Sequence, residues 1–304
     1  MMRFLRGVVV FWVGFKSICA LFPSMPEMMV TKSDGTLEPI DYNKVREALR
    51  RAGASRTLCD EVVESLQSRV YPNILSSKIY QLAFSELRDL RPGAAARFAL
   101  KSALMKLGPD GYPFETFVGA LLKGRGYYTE LRQILQGRCV SHEVDVVATR
   151  PAIPNHSPTK AIVECKFHNA PYMRCHIQSA LYSWARFEDI HSNEASIDSV
   201  WLATNTKFSS DTIAYADCIG LKLLGWGFPA EESIQVRIEE HKLYPITILP
   251  NLNRRTFDIL HAANMILVKD VLATPEEKLK NMGLPANIVE SLKEQGKQVM
   301  SARG

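Results

Sequence analysis

Residues His142-Glu143-Val144-Asp145-Val146-Val147-Ala148 and Ala161-Ile162-Val163-Glu164-Cys165-Lys166-Phe167 decide how this 304-residue chain reads. Both runs are rich in β-branched residues and alternate in polarity, so both predict strands. Alternation in the first places Glu143, Asp145 and Val147 on one face and Val144, Val146 and Ala148 on the other. In the second, Ile162, Glu164 and Lys166 share a face opposite Val163, Cys165 and Phe167. Asp145 precedes Glu164 by 19 positions, with the Pro-rich stretch Pro151–Pro158 between them. That spacing suits an antiparallel pair whose long turn leaves both carboxylates at one end. Two carboxylates and a lysine meeting there make a hard-oxygen pocket beside a cation, which suits Mg²⁺ or Mn²⁺ with Asp145 and Glu164 as ligands. Such a pocket would polarise a water and neutralise charge building on a phosphate, with Lys166 stabilising the transition state. Read alone, Glu-x-Lys on a strand is a weak signal, since alternating charges on a strand usually just face solvent.

The surroundings extend the pattern. A helix is predicted over Phe114–Leu122, ended by Gly124 and Gly126, and a further strand over Tyr127–Gln133. A helical run bearing Gln178 follows the motif, and Tyr182, Trp184 and Phe187 on it are expected in the core. Asp145-x₁₉-Glu164-x-Lys166 in this setting resembles the PD-(D/E)xK nuclease superfamily, and the Mrr-like restriction endonucleases within it. The similarity continues through Trp201–Ser210, a helix at Asp211–Cys218 and Gly220–Trp226, so it covers about residues 111–227. Val144 stands where the superfamily name has its proline. The resemblance implies a restriction-endonuclease-like mixed sheet flanked by helices, cleaving phosphodiesters, with Glu115 and Gln178 joining Asp145, Glu164 and Lys166. Arg138, His142, His168, Asn169, Arg174, His176 and Arg186 surround the motif in sequence. His142 and His168 are candidates for phosphate contact or water activation, or simply structural histidines. Cys165 lies on the opposite strand face and reads as structural.

Upstream, Val30-Thr31-Lys32-Ser33-Asp34-Gly35-Thr36-Leu37-Glu38-Pro39-Ile40-Asp41 predicts a hairpin turning at Asp34-Gly35, with Asp41 capping the next helix. Helices are predicted over 57–70, 76–90 and 93–106, with Pro72 and Pro92 as punctuation. This unit, residues 28–107, resembles the ATP-cone domain, the nucleotide-sensing module of many ribonucleotide reductases and of NrdR-type repressors. The resemblance implies that Lys32, Glu38, Asp41, Lys44, Ser76 and Lys106 handle ATP or dATP. Ser33 stands where a second basic residue often sits, and a cone that has kept its fold but lost its ligand is the alternative. No G-x-x-x-x-G-K-[ST] stretch occurs, so ATP would act as an allosteric signal, not as fuel.

Residues 241–304 read as a small helical module. Leu243–Leu249 is expected as a strand or buried connection, helices over 253–263, 275–281 and 285–301, and a turn at Met282–Pro285. It resembles helix-hairpin-helix-like DNA-binding modules such as the RNA polymerase alpha C-terminal domain, although a second hairpin glycine is missing; a helical cap or oligomerisation piece fits equally. The apolar leader, residues 1–27, conflicts with an intracellular setting. Arg6 and Lys16 interrupt it and no A-x-A-like site follows, so a start at Met28 or Met29 is favoured over an anchor or a cleaved signal.

Composition excludes wholesale disorder, collagen-like repeats and a polytopic membrane protein, with 46% hydrophobic and 23% charged residues. Six dispersed cysteines without a C-x-x-C pair argue against a zinc knuckle or disulfide scaffold and for a reduced, cytoplasmic setting. The net charge of +5 is uneven: residues 111–240 hold 12 basic and 15 acidic side chains, 28–110 hold 13 and 10, and 241–304 hold 9 and 6. The expectation is thus a mixed α/β chain in three segments (28–107, 108–240, 241–304) after the leader. Its favoured function is a Mg²⁺- or Mn²⁺-dependent endonuclease on double-stranded DNA, regulated by ATP or dATP and forming a homo-oligomer, with membrane contact only if the leader is real. The alternative is a nucleotide-responsive DNA-binding regulator that does not cut.

Overall fold

The computed structural model describes residues 28–32, 34–152 and 158–301. The leader, Ser33 and positions 153–157 of the Pro-rich loop lie outside the described residues.

β1 (Met29–Thr31) and β2 (Leu37–Pro39) form the expected antiparallel hairpin. Asp34 accepts from the Thr36 amide and hydroxyl, and Gly35 takes φ +84°, a left-handed conformation glycine adopts freely. Asp41 caps α1 (Tyr42–Arg51) by accepting from the Asn43 amide, and Ser55 caps α2 (Arg56–Gln67). The two-residue β3 (Ile74–Leu75), which carries no sequence signal, pairs parallel with β1 and leads into α3 (Ser76–Leu90). The single helix expected over 93–106 is two, α4 (Pro92–Phe98) and α5 (Leu100–Met105), broken at Ala99.

The central unit opens with α6 (Tyr112–Lys123), then β4 (Tyr128–Gln136), β5 (Ser141–Arg150) and β6 (Thr159–Lys166). Next come β7 (Arg174–Cys175), α7 (Ile177–Asn193), β8 (Ser199–Thr204), β9 (Lys207–Phe208), α8 (Ser210–Ile219) and β10 (Lys222–Leu224). The sheet runs β10-β8-β6-β5-β4, antiparallel among β4, β5 and β6 and parallel from β6 to β10. β7 and β9 form a separate parallel ribbon. α6 covers one sheet face with Phe114, Phe117 and Leu121; α7 covers the other with Ala180, Phe187 and Ile190.

The expected alternation in β5 fails at Asp145. Val146 and Ala148 pack on the α6 side, but Val144 packs with Val147 and Ile162 on the α7 side. Opposite Asp145 in register, Arg132 of β4 takes φ +51°, and the 132/145 pair drops out of an otherwise continuous ladder. Left-handed backbone at a bulky residue costs on the order of 1–3 kcal/mol, and here it turns both strands by half a pleat. β6 keeps its expected faces, with Ile162 on the α7 side and Val163 on the α6 side.

The C-terminal segment comprises α9 (Ile234–His241), a 3₁₀ turn at Ile246–Ile248 within a buried connection, α10 (Arg254–Ala262), α11 (Val268–Ala273), α12 (Glu276–Asn281) and α13 (Ala286–Met300). Gly283, at φ +90°, makes the expected turn before α13, whereas α11 carries no advance signal. Ile246, Leu260, Val289 and Val299 share one apolar cluster with Leu104, Phe117 and Val146, so this segment packs into the same core as α6 and the sheet. Arg97 of α4, buried, donates to the Ala52 carbonyl at 2.7 Å and to that of Val299 at 2.9 Å, tying the ends of α1 and α13 together. The architecture is mixed α/β throughout. Among the described residues no helix is long and apolar enough to cross a membrane.

Candidate active site

β5 and β6 stay paired from Arg150↔Thr159 to Val146↔Val163 and then part. Asp145 and Glu164 are the next residues in that register, so they face each other across the fork, at the end remote from the Pro-rich loop. Beyond the fork Asp145 Oδ2 accepts from the Cys165 amide at 2.6 Å, replacing the lost ladder bond. Glu115 reaches the same place from the first turn of α6. The open cleft between them, about 440 Å³, is walled by Asp110, Gly111, Tyr112, Glu115, Glu143, Asp145, Glu164 and Arg186.

Five carboxylates wall the space; Asp110 lies 4.0 Å from Arg254, which leaves four served by two further cations, Arg186 and Arg132. Arg186 of α7 donates to Glu164 Oε1 at 2.5 Å, to the Glu143 carbonyl at 2.6 Å and to the Tyr182 hydroxyl at 2.7 Å. Arg132, in its left-handed conformation, reaches Glu115 Oε2 at 3.3 Å. Burial pushes the Glu164 carboxyl up to about 7, with repulsion from Asp145 adding to it and Arg186 opposing. Burial likewise raises Asp145 and Glu115; Asp145 in turn repels Glu115, and Glu143 repels both. With these four carboxylates ionised, the cleft would carry two more negative charges than the two arginines offset.

Carboxylate oxygens dominate the lining of the fork, the chemistry a hard divalent cation prefers. As the side chains stand, no group of three or more His, Cys, Asp or Glu among the described residues closes around a metal position. Arg186 occupies Glu164, and its departure is what would free that carboxylate for another cation.

The remaining expected site residues divide. Lys166 follows Glu164 by two positions on β6 and is exposed; it does not line the cleft. Gln178, on the first turn of α7, is exposed too. Of the aromatic run on α7, Phe187 is buried, but Tyr182 is 61% exposed, a correction to its expected core role: its hydroxyl and ring instead hold Arg186. His142 is locked at 2.8 Å to Asp189, whose carboxyl that hydrogen bond holds far below the usual range, so it reads as structural. Arg132 is the site residue that sequence reasoning missed; Arg186 and Glu143 stand beside the motif in sequence without a role. Arg186, at i+8 from Gln178 and i+4 from Tyr182, had a helical stripe as its only signal.

In the N-terminal unit Lys32 and Glu38 pair at 3.3 Å across the hairpin, and the β1–β3 register Thr31↔Leu75 puts Ser76 beside Lys32. Asp41 and Lys44 lie 4.0 Å apart at the start of α1. Lys106 departs from this group: it follows α5 and lines a small pocket with Thr247, Leu252, Asn253, Arg254 and Phe257. The break at Ala99 redirects the chain toward the C-terminal segment.

Comparison with known proteins agrees with this division. Residues 28–102 match the ATP cone domain, which ends before Lys106, and residues 244–300 match the family described as AF1548-like, C-terminal. An uncharacterised protein of Archaeoglobus fulgidus is 38% identical over 180 residues, 59% of this chain and 98% of that protein. The protein of unknown function AF1548, known from a crystal structure, superposes with a TM-score of 0.55 at 37% identity over 62% of this chain and 98% of its own. Transcriptional repressors NrdR of Dictyoglomus thermophilum and Halorubrum lacusprofundi are 32% and 34% identical over 80 and 84 residues, and the chain spans about half the length of each. The MspJI restriction endonuclease aligns over 64% of this chain and 40% of its own, at 13% identity and a TM-score of 0.35, too distant to carry an argument.

Proposed function

This chain belongs to the AF1548-like family, joined to an ATP cone, and from that premise we propose that it is a metal-dependent DNA endonuclease of PD-(D/E)xK type governed by ATP or dATP. The observation that carries the proposal is the strand fork. Two carboxylates from adjacent strands and a third from the covering helix converge on an open cleft that holds more carboxylates than cations.

Asp145 and Glu164 would hold the cation, with Glu115 at the rim. A divalent ion there supplies Lewis-acid polarisation of the phosphoryl oxygens and offsets their charge. The protein's own residues do the rest. The raised Glu164 carboxyl belongs to the metal-free cleft, and a cation held there would keep it ionised. Lys166 lies on the strand that carries Glu164 and contributes a positive charge to the incoming phosphodiester. Arg186, freed from Glu164, stands within reach of the same phosphate, and Tyr182 keeps it in place.

The cone supplies the control. Without a phosphate-binding loop for hydrolysis, nucleotide acts by binding, and coupling of this kind is typically worth about 1–3 kcal/mol. Lys32, Glu38, Ser76, Asp41 and Lys44 form the proposed nucleotide site, and Arg97 provides a physical route from α1 to the core beside α6.

The test is plasmid nicking in Mg²⁺, with and without ATP or dATP, by the wild type and by Asp145→Ala and Lys166→Ala. Cleavage by the wild type alone, altered by nucleotide, is the expected result. Cleavage surviving both substitutions overturns the site. No cleavage in any nucleotide condition favours a DNA-binding regulator that does not cut.

A further inference from the structure

Beyond the cleft, the chain's positive charges gather in one place without carboxylate partners. The segment from Lys166 to His176 contains no acidic residue, and neither does Asn205–Ser209. The β7–β9 register sets Arg174 directly beside Lys207, two like charges on neighbouring strands, an arrangement that is destabilising by itself. Lys101 of α5 is partly exposed, and burial first and the charge of Lys207 second lower its pKa. His168 and His176 complete the array around Lys166, since His168 is shifted down by burial and then by those two neighbours.

Among the described residues none of Lys101, Lys166, Arg174 and Lys207 forms an ion pair with a carboxylate; Arg174 reaches only the Phe208 carbonyl, at 3.5 Å. The flanking acids are engaged elsewhere: Glu164 pairs with Arg186, and Asp211 at the start of α8 accepts from the hydroxyl of Ser210. His168 is buried, and its Nε2 has no partner. The backbone here is held fixed: Asn205 accepts from the His168 amide at 2.8 Å and donates to the His168 carbonyl at 2.9 Å. At the tip of the same loop Tyr172 and Met173 are exposed.

We infer that Lys101, Arg174, His176 and Lys207, continuing from Lys166 at the edge of the cleft, form a track for the phosphate backbone of double-stranded DNA. Phosphodiesters supply the counter-charge that the protein omits, and each neutralised phosphate releases condensed counterions. The track starts two residues from Glu164 and leads away from the carboxylates, so it steadies the duplex where the acidic cleft repels it. Tyr172 and Met173 project from the rigid loop toward the groove, as apolar tips do in other duplex-bound proteins. This inference rests on the nuclease reading for its choice of DNA, and it concerns binding alone.

The experiment is fluorescence anisotropy of a labelled DNA duplex with the full chain in EDTA, where no cleavage occurs, over a series of salt concentrations. Lys101→Ala/Arg174→Ala/Lys207→Ala is compared with wild type and with the charge-keeping Lys207→Arg, each checked for an unchanged melting temperature. The slope of log Kobs against log salt is expected to shrink by about 0.9 for each charge removed, about 3 in the triple variant, and to stay put in Lys207→Arg. An unchanged slope in a folded triple variant overturns the track, whether or not the wild type nicks plasmid. Absence of salt-dependent duplex binding by the wild type also overturns it. An RNA hairpin that displaces the duplex at lower concentration than unlabelled DNA overturns DNA as the ligand. Lost slope together with undiminished wild-type nicking in Mg²⁺ supports both readings, and lost slope without any nicking supports the track while sinking the nuclease.

Discussion

Replacing Glu164 by Gln should make the metal-free protein more stable at high pH and leave it nearly unchanged at low pH. The carboxyl is raised in the folded chain from 4.5 to about 7, chiefly by burial and then by Asp145. A raised carboxyl binds its proton more tightly folded than unfolded, so stability is lost as pH climbs through the interval between the two values. At 1.36 kcal/mol per unit the loss amounts to about 3 kcal/mol, present in full above the folded value and absent below the unfolded one. His168 and His261, both lowered mainly by burial, act in the opposite sense near their unfolded value of 6.5. The comparison must therefore be the difference between wild type and Glu164→Gln, in which those histidines cancel. Urea unfolding in EDTA at about pH 5 and about pH 8 measures it. The variant should gain about 2–3 kcal/mol relative to wild type between the two conditions, since a small part of the loss is already present at about pH 5, and Mg²⁺ at the higher pH should stabilise the wild type selectively. A difference independent of pH would refute the picture of an uncompensated buried carboxylate.

Other expectations follow from particular contacts. Gly93→Ala places a Cβ 2.2 Å from the Gln298 carbonyl oxygen, forcing α4 from α13; a loss of about 1–3 kcal/mol in chemical denaturation is expected, with nucleotide response weakened. Arg186→Met leaves Glu164 buried without its partner, so thermal stability in EDTA should fall, and fall further at pH 8 than at pH 5, by an amount within the roughly 3–5 kcal/mol typical of broken buried pairs. Lys32→Ala removes the charge paired with Glu38 on the hairpin and should weaken ATP binding by equilibrium dialysis while leaving basal nicking in place.

Much of this arrangement was legible because local rules and tertiary packing agree. Asp34-Gly35, the Asp41 cap, the strand pattern of β6 and that of β5 after Asp145 each carry their own physical reason, and the structure places them accordingly. The 19-residue interval between Asp145 and Glu164 brings the two carboxylates face to face because the turn closes a regular antiparallel register. What escaped has no local signature. Arg132 is neither glycine nor asparagine, so its left-handed backbone, and the half-pleat slip it imposes on Asp145, follow from long-range contacts with Glu115 and Tyr112. β3 is two residues long and exists only because β1 offers it an edge. Arg186 is an ordinary helix residue until folding delivers it to Glu164 and Glu143. Lys106 fits the nucleotide pattern in sequence, and the break at Ala99 carries it to the neighbourhood of Arg254. The acidic balance of the central segment finds a local counterpart in the fork, where four carboxylates meet two arginines.

The claim that this fork is a divalent-cation centre is tested most directly by calorimetric titration of Mn²⁺ into the full chain at about pH 8. One bound ion per chain with proton uptake by the buffer, absent in Asp145→Asn/Glu164→Gln, is the expected result. Binding undiminished in that variant, or none in the wild type, would contradict it.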